Sequence, residues 1–139
     1  MDMTPRQSPW FSEDPQKQNS IPFPGIVRMV IPCEPWKLAL SLHAMEISKQ
    51  WIRAEIDRKS FEKKFSFDDL PLIFRLDEFY GLQLEPDNKH LPTPMISSEL
   101  TSRDVHSNGI QLQFTFLNSP PELDELLLEL SAAASYIMN

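Results

Sequence analysis

A single cysteine, three glycines and three histidines leave this chain of 139 residues short of the raw material for several kinds of chemistry. Cys33 alone can form neither an intrachain disulfide nor a cysteine-based zinc cluster. Three glycines supply no loop that brings backbone N–H groups against a phosphate, so Gly-rich nucleotide motifs are excluded. His43, His90 and His106 form no H-E-x-x-H or comparable metal-ligand pattern. No apolar run approaches the roughly 18 residues that span a bilayer, and the first twenty residues hold no apolar signal core. Bases are scarce too. Lys+Arg 13 against Asp+Glu 20 leaves a net charge of −7, which argues against a protein that binds nucleic acid by neutralising its phosphates.

Catalytic constellations are equally thin. G-x-S-x-G, a P-loop and a calcium loop are all missing. The adjacent pairs Asp68-Asp69 and Asp77-Glu78 diverge by about 100° on a helix, so neither makes an acid/base pair facing one substrate. Cys33, near an expected helix start, is the one candidate nucleophile. Together these absences favour a binding protein over an enzyme, with no cofactor and no metal.

What is abundant is proline, thirteen residues placed at boundaries rather than in a repeat. Residues 1–20 are polar, proline-punctuated and aperiodic, which reads as a flexible arm. Within that arm Trp10-Phe11 is an aromatic pair suited either to folding back or to anchoring a partner. Residues 21–139 have the composition of one globular domain.

Periodicity then supplies the elements. Residues 26–31 alternate as a strand ended by Pro32. From Trp36 to Ala44 the apolar residues alternate, but beyond Ala44 the alternation fails and helix-formers dominate, so a helix over 34–58 is expected. That helix carries two apolar stripes: Trp36, Leu40, Ala44, Ile47, Trp51 and Ala54 on one side, and Leu38, Leu42, Met45, Ile52 and Ile56 on the other. A double-faced helix either lies between two layers or leaves one face for another chain. The bases Lys49 to Lys64 interleave with acids as a solvated face. Asp68 as N-cap and Gly81 as terminator bound a second helix over 69–80. Asn108-Gly109 signals a hairpin whose second strand, 110–116, alternates cleanly, while its partner ending near His106 alternates poorly. Ser119-Pro120-Pro121-Glu122 opens a third helix running to about Met138. Its stripe of Leu123, Leu126, Leu127 and Leu130 faces a core; Asp124, Glu125, Leu128, Glu129 and Tyr136 face away. The fold expected is α+β: a single domain with a small, mostly antiparallel sheet packed with about three helices.

Charge divides the chain unevenly. Residues 1–64 carry ten bases and eight acids, a net +2, and residues 65–139 carry three bases and twelve acids, a net −9. An acidic half of this kind steers a basic partner. The functional expectation is therefore a non-catalytic protein-binding module in a reducing, cytoplasmic setting. In physical type it is like a stoichiometric inhibitor such as an immunity protein that neutralises a toxin domain. The alternatives are an acidic secretion chaperone, a structural subunit of a larger assembly, or a small enzyme using Cys33. The expected partner is another protein with a basic surface, with no nucleic acid or membrane involved and a homodimer open. The expected partner-binding residues are Asp124, Glu125, Leu128, Glu129, Tyr136, Leu38, Leu42, Met45, Trp10 and Phe11.

Overall fold

The computed structural model describes residues 20–32 and 37–138. Seven strands run in chain order as β1 Ile21–Pro22, β2 Gly25–Pro32, β3 Lys37–Ile47, β4 Trp51–Asp57, β5 Phe79–Pro86, β6 Met95–Val105 and β7 Gly109–Phe116. Helices are short except for the last: α1 Arg58–Glu62, a 3-10 turn Phe67–Asp69 leading into α2 Leu70–Ile73, and α3 Pro121–Met138. The six long strands follow the order β3-β2-β5-β6-β7-β4, every pair antiparallel, and β4 pairs back onto β3. The sheet thus closes on itself as a six-stranded antiparallel barrel, which hides strand edges that an open sheet would leave bare. This corrects the expected α+β sheet packed with three helices.

The expected helix over 34–58 is in fact the β3–β4 hairpin. A bulge between Ala44 and Glu46 adds one residue to β3, and a turn at Ser48–Gln50 follows. The bulge moves the next inward residue from 46 to Ile47, and this three-residue step imitates helical spacing. The two apolar stripes therefore collapse onto one surface. Leu40, Leu42, Ala44, Ile47, Ile52, Ala54 and Ile56 all belong to the barrel core. A second bulge between Leu100 and Ser102 accounts for the poor alternation of β6. In the hairpin that follows, His106 N–H donates to the carbonyl of Gly109 at 2.8 Å. Neither Asn108 nor Gly109 has positive φ, so the Asn-Gly dipeptide does not form the primed turn it suggests.

The expected helix over 69–80 shrinks to α2. Ser66, rather than Asp68, caps the 3-10 turn, accepting the N–H of Asp68. Asp77, at φ 66°, reverses the chain, and Phe79 and Tyr80 open β5. Leu72, Leu76 and Phe79 are exposed.

The β4–β5 connection plugs one end of the barrel. Phe61 is fully buried, with ring centroids 5.5 Å from Phe65 and Phe74 and 6.1 Å from Phe67. Tyr80 ties this segment to the wall: its hydroxyl donates to the Ile73 carbonyl at 2.7 Å and accepts from Arg75 N–H at 2.9 Å. Arg103 from β6 donates to the Phe74 carbonyl at 2.6 Å. α3 lies beside β1, and its Leu123, Leu126, Leu127 and Leu130 join the core.

Candidate functional site

The barrel rim at the β3–β4 turn gathers unusual polar features. The turn Ser48-Lys49-Gln50 contains no glycine, proline or asparagine. The serine hydroxyl supplies the turn chemistry instead, accepting the N–H groups of Gln50 at 3.1 Å and Trp51 at 3.2 Å. Ser48 is buried while Lys49 and Gln50 are exposed. β1 pairs with β3 at this rim, Ile21 opposite Ile47 and Pro22 opposite Glu46.

Trp51 follows the turn. It is 1% exposed, yet it stands outside the contiguous core, and its indole N–H has no acceptor among the described residues. A buried unpartnered donor costs about 1–3 kcal/mol, so such atoms are uncommon without a purpose. The Arg53 guanidinium lies 5.2 Å from the centroid of the same ring. It donates to Glu46 at 2.6 Å and to the Gln113 side chain at 3.1 Å. Three strands thus hold one planar cation beside an aromatic ring at this rim.

At the other end of the β3–β4 seam a cavity of about 520 Å³ opens on the outer wall. Its rim includes His43, Glu55, Asp57 and His106. The Asp57 carboxylate caps α1 by accepting the Ser60 N–H at 3.2 Å, and hydrogen bonding from Ser60, its side chain above all and its N–H behind it, holds the carboxyl pKa below the ordinary value. On β2, the Arg28 guanidinium donates to the Glu85 carboxylate at 3.0 Å, and that hydrogen bond raises the guanidinium pKa. His106 Nε2 lies 3.3 Å from Asp104. Among the described residues no three His, Cys, Asp or Glu side chains come together as a metal site, and no helix is long and apolar enough to cross a membrane.

The residues expected to bind a partner are scattered. Asp124, Glu125, Leu128 and Glu129 are exposed on α3, and Tyr136 falls in its last turn. Leu42 faces the barrel interior at 1% exposed, because β3 turns every second residue inward. Leu38 sits opposite Ile31 in the β2–β3 ladder, and Met45 is the half-buried residue of the bulge. Trp10, Phe11 and Cys33 lie outside the described residues. Sequence reasoning did not single out Ser48, Trp51 or Arg53. The available signal was the resumption of alternation at Ile52, Ala54 and Ile56, which dates a turn to the preceding residues.

No protein-family profile matches the chain, and no curated relative does. Solved structures do. The PilZ domain of YcgR from Escherichia coli, with c-di-GMP, superposes with a TM-score of 0.60 at 12% identity, over 86% of this chain and 93% of that one. The Bacillus subtilis inhibitor of motility, MotI/DgrA, gives a TM-score of 0.59 at 12% identity, over 85% of this chain and 50% of that one. The Borreliella burgdorferi PlzA protein in complex with c-di-GMP gives 0.52 at 14% identity, over 84% and 46%. The chain spans about half the length of the last two proteins. Its barrel is of the PilZ type.

That likeness overturns the functional expectation. The barrel belongs with solved domains two of which hold c-di-GMP, rather than with toxin immunity proteins, secretion chaperones or assembly subunits. Two of those solved structures hold a small molecule, and the expected basic-surfaced protein partner is withdrawn.

Proposed function

We propose that this chain is a non-enzymatic PilZ-like sensor domain that takes a cyclic purine dinucleotide of the c-di-GMP class at the turn rim. The observation that carries the reading is the likeness to the YcgR PilZ domain, which extends over nearly all of that domain. The local chemistry supports it. A dinucleotide presents flat bases and two phosphodiester anions. The Arg53 guanidinium beside Trp51 and the exposed Lys49 ammonium offer two cations to such a ligand. The −9 balance of residues 65–139 lies on other parts of the chain; the rim draws on the net-positive half.

Isothermal titration of the full chain with c-di-GMP tests this, with GMP as control. Saturable binding in the micromolar range is expected, weakened at least tenfold by Arg53→Ala. Absence of binding at roughly millimolar c-di-GMP, or equal binding of GMP, overturns the reading.

A further inference from the structure

The seam between β3 and β4 is incomplete. Pairing runs only from Ile47–Ile52 to His43–Glu55. Beyond that rung β3 continues toward Lys37 with β2 alone, while Ile56 and Asp57 continue with β7 alone. The wall opens into a wedge, and the cavity of about 520 Å³ fills it. Core residues Leu42, Ile56 and Ile110 form its floor. Glu55 and Asp57, two residues apart on one face of β4, bring two carboxylates to its edge. No lysine or arginine lines it.

A second observation concerns the bare edge of β3. The Lys64 ammonium donates to the carbonyl of Ala39 at 3.1 Å. The protein itself thus offers an ammonium to this unpaired edge. Carbonyls two residues apart on a strand point the same way, so the Ser41 carbonyl faces the wedge beside the carboxylates.

We propose that the seam is a second ligand site, separate from the turn rim, for a small organic cation: an amine or guanidine on a short aliphatic body. The ammonium meets Glu55, Asp57 and the Ser41 carbonyl while the aliphatic part rests on the Leu42–Ile56–Ile110 floor. The site lies toward the opposite end of β4 from Trp51, its carboxylates four and six residues along the strand, roughly 13–20 Å away. Its occupation does not depend on the dinucleotide reading.

Titration of the full chain with agmatine and putrescine, followed by amide chemical shifts, tests the proposal, with 1,4-butanediol as the uncharged control. Saturable shifts are expected at Ser41, His43, Glu55, Asp57 and Gln111. Glu55→Gln, which keeps the side-chain shape, should weaken binding about tenfold. Gln111→Lys, which places an ammonium at the cavity, should abolish it, and it serves as the second variant should the first fail to fold. Shifts spread over Asp124, Glu125 and Glu129 instead, equal binding of butanediol, or full affinity in the folded variants each overturn the proposal. Loss of c-di-GMP binding with amine binding intact would sink the rim reading alone.

Discussion

At the residue scale, close approach rather than backbone freedom explains Gly25. A Cβ there would strike the Glu85 carbonyl and come within 2.8 Å of Pro86 Cα and 2.9 Å of the Phe23 ring. Two of these atoms are the backbone of β5, which pairs with β2 at this point and has no room to retreat. Gly25→Ala should therefore cost about 1–3 kcal/mol. At Gly81 the nearest atom would be Val30 Cβ at 3.9 Å, an ordinary contact, so Gly81→Ala should be close to neutral. Urea unfolding of the two variants makes the comparison. Trp51 is the other residue whose environment composition alone conceals. As one aromatic among fourteen it reads as core, and only its exclusion from the contiguous core and its orphaned N–H mark it as different.

At the scale of elements, α1 illustrates how a five-residue helix is held. Far too short to be stable alone, it persists because Phe61 is buried in the aromatic cluster and because Asp57 caps its first turn. Hydrogen bonding from Ser60, first its side chain and then the capping N–H, depresses the Asp57 pKa below 3.8. A carboxylate depressed in the folded state contributes stability above its unfolded pKa, and that contribution is lost as pH falls through the folded value. Asp57→Ala should therefore melt at a lower temperature than the natural chain near neutral pH. The gap should close as the pH drops below about 3.8. Thermal unfolding followed at about pH 7 and about pH 3 checks the sign. A gap that persists unchanged in acid would show that the Asp57 charge contributes nothing, and no gap at either pH would leave the helix to Phe61.

For the whole molecule, closure governs behaviour. β2 pairs with β5 across some 57 residues of chain, as in Arg28 opposite Gln83 and Ile26 opposite Glu85, and β4 pairs with β7 across a similar span. Hydrogen bonding around a closed ring leaves no strand that can leave without opening two ladders. Denaturant unfolding should be a single cooperative transition, coincident by tryptophan fluorescence and far-ultraviolet circular dichroism. Refolding should take roughly milliseconds to seconds, as suits long-range β pairing. Separate transitions for the two probes would contradict a single closed unit.

Much of the local structure was legible in the residues. Ile110, Leu112 and Phe114 alternate cleanly and lie inward on β7; Pro121 opens α3; Leu123, Leu126, Leu127 and Leu130 form its buried stripe. Where the reading failed, a bulge or an unmarked turn had shifted the period. One extra residue at Met45 turned a two-residue alternation into a helical step. A serine-based turn left no glycine or proline to betray it. Asp77 split an apparent helix into a turn and a strand.

The rim could not be read in advance, because Glu46, Arg53 and Gln113 meet only once β4 lies between β3 and β7. By itself the sequence determined the acidity, the scarcity of catalytic and metal-binding groups, and the inward faces of the regular strands, since each depends on residue type or short-range spacing. Only the tertiary structure decided that the strands close into a barrel, that Trp51 carries Arg53, and that the β3–β4 seam gapes. Those facts rest on pairings between residues far apart in the chain, and no local period encodes which strand becomes whose neighbour.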